Sequence, residues 1–227
     1  MFPLLDRNIP HVTDMILTYL ESTDLAASML VCKEWCRKAK PLLYDRFITS
    51  QRKEGFSPLQ QAVIFNYDRL VGYLLDNYQD VVNETSTFSA WTALMRAAFK
   101  GREKITRMLL DTEGIDVNIK ARWTGRSALS LAALHGRAGV VKILLARRDI
   151  HVNDCDNLGS TALMLACREM HVSVVEELLK DPDINVNLRD AFGVTALSHT
   201  KKLLDHNTGN SFNVWNIITM LKERNAI

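Results

Sequence analysis

Apolar residues in this chain follow a helical rhythm that restarts at regular intervals. Five segments begin alike, with Ser or Thr followed two residues later by leucine, at Ser57, Thr92, Ser127, Thr161 and Thr195. Their start-to-start spacings are 35, 35, 34 and 34 residues. After each of the first four starts come two apolar stretches at helical spacing, separated by a short break. Each unit therefore predicts a pair of short helices.

Other positions repeat at fixed distances from these starts. A Leu-Leu pair follows each of the first four starts by 17 residues, and an asparagine follows by 26 residues. The asparagines are Asn83, Asn118, Asn153 and Asn187. Glycine lies two residues before four of the five starts, at Gly55, Gly125, Gly159 and Gly193. Agreement at several independent positions indicates an internal repeat.

The chemistry of one unit explains its residues. A Ser or Thr side chain caps a helix by accepting a backbone N–H, and Gly101 or Gly136 ends that helix because glycine adopts the left-handed conformation readily. The second helix is followed by short extended pieces such as IDVN, IHVN and INVN, then by polar turn residues. Neither helix buries its apolar face alone, so the units are expected to stack into a solenoid.

The stretches TALMLA, VVEELL, INVN and RDAFG resemble the ankyrin repeat, whose period is about 33 residues. The resemblance covers residues 55–227 and implies an all-α solenoid of about five units. Three features depart from the pattern. Its proline survives only at Pro58, and its glycine between the helices is replaced by Asn66 and Met170. The last unit carries the insertion LLDHNTGNSFN before a helix that resembles a terminal cap, with core positions at Ile217, Ile218 and Leu221.

The segment before Gly55 does not follow the repeat. Residues 9–47 predict three short helices, with one apolar face around Ile16 and Leu20 and a second around Leu25 and Met29. A segment of about 50 residues is too short to build a strong core of its own. We therefore expect it to pack on the first repeat or on a partner chain.

The pattern IPHVTDMILTYLESTDLAASMLVCKEWCRKAKPLLYDRF in residues 1–50 resembles the F-box. It departs from that family where HVT replaces the usual acidic residue after the proline. The resemblance implies docking on the Skp-type adaptor of a cullin-based SCF ubiquitin ligase, while the repeats bind a target protein. By position, the adaptor-binding or supporting residues would be Pro10, Ile16, Leu17, Leu20, Leu25, Val31, Cys32, Lys33 and Trp35.

Motifs of catalysis and metal binding are missing from the sequence. Cys32 and Cys36 lie four residues apart, but zinc needs about four ligands and no second pair accompanies them. We interpret Cys32 as a packed apolar residue and Cys36 as a partly exposed thiol. The six histidines are scattered, and no phosphate loop, nucleophile elbow or kinase signature is present. The sequence therefore predicts no catalytic residue, no metal and no cofactor.

Composition narrows the possible partners. The formal net charge of +2 gives no argument for nucleic acid, no apolar run reaches the roughly 18 residues that span a membrane, and no secretory signal is evident. Four cysteines in 227 residues do not make a disulfide framework. The predicted location is the cytosol, the nucleus or both.

Charge is distributed unevenly along the chain. Residues 92–148 hold 12 Lys and Arg against 4 Asp and Glu, whereas residues 149–194 hold 3 against 9. This asymmetry is either ordinary variation between solvated faces or a basic patch beside an acidic patch.

A column of large apolar residues follows the repeat asparagines by five positions, at Phe88, Trp123, Leu158 and Phe192. In hairpin loops these residues either form a partner site or pack against neighbouring hairpins. Arg96, Lys120, Arg122 and Arg126 lie in or near the basic region and would select an acidic partner.

Two hypotheses of function follow from these patterns. The first is a substrate-recognition subunit of an SCF ligase, with an unknown protein as its substrate. The second is a non-catalytic ankyrin scaffold whose N-terminal helices only cap the repeat stack. An enzyme is a third class, but no residues support it.

Overall fold

The computed structural model describes residues 55–78, 81–205 and 211–226. The predicted N-terminal helices and the adaptor-binding residues from Pro10 to Trp35 lie outside the described residues. The regular secondary structure of the described part consists of helices joined by loops and turns. Its helices are α1 (Pro58–Ile64), α2 (Asp68–Asn77), α3 (Ala93–Lys100), α4 (Glu103–Leu110), α5 (Ala128–Leu134), α6 (Ala138–Leu145), α7 (Ala162–Arg168), α8 (Val172–Leu179), α9 (Ala196–Asp205) and α10 (Ser211–Glu223).

These helices form two rows. The first helices of the units, α1, α3, α5, α7 and α9, contact one another in chain order, and so do the second helices from α2 to α10. Each first helix also contacts the second helix of its own unit. One continuous apolar core runs through both rows. This arrangement confirms the predicted stack of helix pairs.

The helix caps form where the sequence predicts them. Ser57, Thr92, Ser127 and Thr161 are extended N-cap residues whose side chains accept the N–H three residues onward. The Thr92 oxygen, for example, lies 3.2 Å from the backbone nitrogen of Met95. Such a bond satisfies one of the N–H groups left open at a helix start.

The break between the two helices of a unit uses a left-handed residue. Gly101 and Gly136 have φ values of 73° and 67°. Asn66 and Met170 stand at the same place and keep the same conformation, with φ values of 63° and 58°. At Gly101 an added Cβ would lie 2.9 Å from the Cδ of Arg137, so a larger residue there would also require the Arg137 side chain to shift.

The pieces expected to be extended are loops and turns. No strand forms in the described ranges, and the one isolated bridge there joins Cys155 and Thr161. Val117, Val152 and Val186 in these pieces are buried, so their apolar character serves the core. None of the helices in the described residues is long and apolar enough to cross a membrane.

The final helix closes the stack as the sequence indicates. Helix α10 begins at Ser211, earlier than the insertion suggested, and packs on α8 and α9. Its predicted core residues Ile217, Ile218 and Leu221 are all buried. Trp215 on the same helix is exposed.

Candidate functional site

The repeat asparagines join each hairpin loop to the next. Asn118 donates from Nδ2 to the carbonyl of Asp149 at 2.7 Å, and its Oδ1 accepts from the N–H of His151 at 2.9 Å. Asn83 makes the same pair of bonds to Gly114 and Asp116, and Asn153 to Asp183 and Asn185. The sequence identified this column by its spacing but not its role, which is to hold consecutive units in register.

Backbone hydrogen bonds also connect the hairpin tips. The N–H of Asn157 donates to the carbonyl of Thr124 at 2.9 Å, and the N–H of Ala191 donates to the carbonyl of Leu158 at 2.9 Å. The tips are therefore fixed relative to one another, so side chains that project from them form a preorganised row.

The apolar column lies on these tips. Phe88, Trp123, Leu158 and Phe192 are 81%, 72%, 50% and 76% exposed. We call these four residues the hairpin ridge. Their rings and chains are largely open to solvent, although Trp123 donates from Nε1 to the carbonyl of Phe88 at 2.6 Å. Contiguous exposed apolar side chains on a rigid support are typical of a protein-binding surface.

Most of the predicted basic residues near the ridge are paired within the chain. Lys120 Nζ lies 3.2 Å from Asp154 Oδ2, and Arg126 Nε lies 3.2 Å from Asp156 Oδ2. These pairs join residues 92–148 to residues 149–194 across adjacent hairpins. Part of the opposite charge of the two regions is therefore used in ion pairs between them. Arg122 is exposed, lies 5.9 Å from the centroid of the Trp123 ring and forms no ion pair among the described residues.

Arg96 belongs to helix α3, and its side chain contacts Ser86 and Trp91 of the preceding hairpin rather than the ridge. Its guanidinium carbon is 4.5 Å from the Phe56 ring centroid and 5.4 Å from that of Trp91. Nη2 lies 3.5 Å from the Ser86 oxygen, and the buried Nε has no acceptor. Burial lowers the pKa of Arg96 below its ordinary value.

Two buried aspartates hold the later hairpins. The Oδ1 atom of Asp190 accepts from the N–H groups of Phe192 and Val194, each at 2.9 Å, and Oδ2 lies 2.7 Å from His199 Nε2. Asp156 is used in the same way, with Arg126 as its cation. Burial raises the pKa of Asp190, but the N–H of Val194, the His199 ring and the N–H of Phe192 outweigh it, so the net pKa lies below its usual value.

This lowered pKa makes stability depend on pH. Because the folded-state pKa is depressed, ionised Asp190 stabilises the fold above its unfolded pKa of about 3.9, and this stabilisation is lost as the pH falls through the folded-state pKa. We expect Asp190→Asn to lower Tm at pH 7 and to narrow its deficit against wild type below about pH 4. Thermal unfolding between pH 2 and 7 measures this difference, and a deficit that stays constant over the range would contradict it.

Reactive chemistry in the described residues would come from a metal-ligand cluster or a free thiol. They contain no group of three or more His, Cys, Asp or Glu side chains arranged to hold a metal ion. Cys155 is exposed, and Cys167 is fully buried, with the side chain of Thr200 as a hydrogen-bond partner. Burial raises the pKa of Cys167 to about 12. The Cys167 thiol is therefore almost entirely protonated at neutral pH and is a poor nucleophile.

Comparison with known families agrees with this architecture. A family model described as ankyrin repeats (3 copies) matches residues 25–121 and 120–190. The first match begins inside the segment predicted as an F-box, and together the two matches cover most of the chain. No curated protein matches the sequence.

Proposed function

This chain belongs to the ankyrin-repeat family, and on that premise we propose that it is the substrate-recognition subunit of an SCF-type ubiquitin ligase. Ankyrin repeats suggest a protein-interaction role for the chain. In the proposed complex, residues 1–50 dock on a Skp-type adaptor and, through it, on a cullin. The repeats bind a target protein, and the complex works in the cytoplasm, the nucleus or both.

The hairpin ridge is the observation that carries the target-binding half. Its four large apolar side chains project from tips that hydrogen bonds hold in a row. A rigid row loses little conformational entropy when a partner covers it, and aromatic side chains such as Trp123 often contribute most of the binding energy. A target bound there would be held at high effective concentration near the ligase.

The adaptor-binding half rests on the order of residues in the N-terminal segment. Ile9-Pro10, Ile16-Leu17, Asp24-Leu25, Val31-Cys32-Lys33 and Leu43-Tyr44 follow one another as in the F-box. An apolar helical face with an aromatic anchor suits a groove on another helical protein. In the proposed complex Trp35 would supply this anchor.

Co-purification with a Skp-type adaptor tests the proposal. We expect the full chain to bind the adaptor and the double variant Leu25→Asp, Trp35→Ala to lose at least about 100-fold in affinity, since truncating an aromatic anchor alone costs about 2 kcal/mol or more. Trp123→Ala, on the hairpin ridge, is the matched control and should bind the adaptor as the wild type does. If the wild type fails to bind, or the double variant binds equally well, the proposal is wrong.

A scaffold whose N-terminal helices cap the stack is the second candidate. The observation in its favour is that the ankyrin-repeat match begins at residue 25, within the predicted F-box. Deletion of residues 1–50 separates the two functions. A docking segment leaves a folded repeat domain that no longer binds the adaptor, whereas a cap leaves a chain that unfolds or aggregates.

A further inference from the structure

The second and last units have a basic side chain at the same repeat position, but its partner is a hydroxyl in the second unit and a carboxylate in the last. Arg96 and His199 each lie four residues after a unit start, and Ser86 and Asp190 each lie three residues after a repeat asparagine. In the last unit, His199 lies 2.7 Å from the Asp190 carboxylate. In the second unit Ser86 stands where the last unit has Asp190, and its hydroxyl lies 3.5 Å from Arg96 Nη2.

The surroundings of Arg96 favour an anion at this place. The guanidinium is half-buried, its Nε has no acceptor, and it forms no ion pair within the described residues. A desolvated cation without a counterion destabilises the fold, and so does a buried donor that has no acceptor. Phe56 and Trp91 hold the planar group in place, so it is preorganised to donate to an incoming acceptor.

Nearby charges add to the attraction for an acidic ligand. Lys100 is exposed at the end of the same helix, with Nζ 5.4 Å from the Phe99 ring centroid. Two other cations of the basic region, Lys120 and Arg126, are paired to Asp154 and Asp156, whereas Arg96 and Lys100 form no ion pair among the described residues. Arg96 and Lys100 therefore leave positive charge on α3 that has no counterpart within the described residues.

We propose that Arg96 is the anchor of a binding site for a carboxylate of the protein partner, supplied by an Asp or Glu side chain in an acidic segment. The carboxylate neutralises the half-buried Arg96 guanidinium, which Ser86 leaves without a charged partner, and Lys100 attracts the neighbouring acidic residues. This inference rests on the protein-binding half of the proposed function and defines its partner as acidic. It does not depend on the adaptor.

The test uses the full chain and a fluorescein-labelled hexaglutamate peptide, with hexaglutamine as the neutral probe. Anisotropy is expected to show binding of hexaglutamate alone. Arg96→Gln should weaken it about tenfold or more, because a charge-assisted hydrogen bond contributes about 1.5–3 kcal/mol. Arg148→Gln is the matched control, since Arg148 is exposed in the same basic region but lies outside this site. It should change the affinity less than about twofold, as expected of a distant screened charge.

Ser86→Asp provides the more specific variant. It rebuilds the arrangement of Asp190 and His199 by placing a carboxylate beside Arg96. Ser86 already accepts the N–H of Trp91 at 3.2 Å, and an aspartate can keep this bond, as Asp190 does with Val194. We expect Ser86→Asp to fold normally by circular dichroism, to unfold at a higher temperature than the wild type and to lose hexaglutamate binding.

Several results would overturn the inference. These are no binding of hexaglutamate by the wild type, equal losses in Arg96→Gln and Arg148→Gln, and unchanged binding by Ser86→Asp. A change in self-association of Arg96→Gln by sedimentation, without a change in peptide affinity, would assign the site to a second copy instead. A tighter complex with inorganic phosphate than with hexaglutamate would reject the carboxylate.

The outcome is separable from that of the proposed ligase function. Arg96→Gln should still co-purify with the Skp-type adaptor. If the peptide results hold and the adaptor is never recovered, only the ligase role fails. If the adaptor is recovered and peptide binding ignores Arg96, only the carboxylate site fails.

Discussion

Leu144→Ala is expected to lower the free energy of unfolding by about 2–5 kcal/mol, among the largest losses available to a single substitution in this chain. Leu144 is 0% exposed. It lies on α6, which contacts α4, α5 and α8. Alanine would remove the contacts of three heavy atoms with these neighbours and leave a cavity that the helices around it cannot close. Urea unfolding followed by circular dichroism measures the loss.

Leu145→Ala is the matched control for this prediction. Leu145 is the other half of the same Leu-Leu pair but is only partly buried, beside an open groove that also borders Lys142, Glu177 and Pro182. A residue with less area removed from water contributes less to stability. Equal losses for the two variants would show that the described burial of the pair is wrong.

The short-range features of the fold could be predicted from the sequence. A cap such as Thr92 needs only its own hydroxyl and the N–H of Met95, three residues away. The helical spacing of apolar residues likewise predicts the buried face of the helices that carry the Leu-Leu pairs and of the last helix. In each case the information lies within one unit, and the repetition of units makes the pattern evident.

Conformation was harder to predict where the usual residue is absent. Asn66 and Met170 replace the glycine between helices, and Ala90 replaces the glycine before the second unit start, with φ at 51°. All three keep a positive φ. A single non-glycine residue in this region costs about 1–2 kcal/mol. Hydrogen bonds at the end of the preceding helix, such as that from the Tyr67 N–H to the Ala62 carbonyl at 2.9 Å, accompany the conformation at Asn66, so it forms without the glycine that usually marks it.

Side-chain contacts between units could not be predicted from the sequence. Arg126 and Asp156 are 30 residues apart, and no sequence pattern around either residue indicates that they form an ion pair. Their pairing depends on the register of adjacent hairpins, and the lack of a charged partner for Arg96 among the described residues likewise had to be observed. The exposure of the hairpin ridge also had to be observed, because the sequence favoured packing of its apolar residues against neighbouring hairpins, and their exposure of 50–81% shows that this interpretation was wrong.

Asn118→Ala is the second prediction with a large expected effect, a loss of about 1–3 kcal/mol in the free energy of unfolding. The substitution removes two hydrogen bonds to the next hairpin, one from Asn118 Nδ2 to Asp149 and one from the N–H of His151 to Oδ1. Units in a solenoid contact only their neighbours, so a weakened junction lowers the stability of the whole stack. Urea unfolding measures the loss.

Two variants establish what the asparagine contributes. Asn77→Ala removes a bond within helix α2, from Nδ2 to the Tyr73 carbonyl, and should change stability by less than about 0.5 kcal/mol, as is usual for exposed sites. Asn118→Asp keeps the acceptor for His151 but replaces the donor with an oxygen that faces the Asp149 carbonyl. We expect Asn118→Asp to be at least as destabilising as Asn118→Ala, because two acceptors then oppose each other. If Asn118→Asp matches the wild type, the bond to Asp149 does not hold the units together, and the junction rests on apolar packing alone.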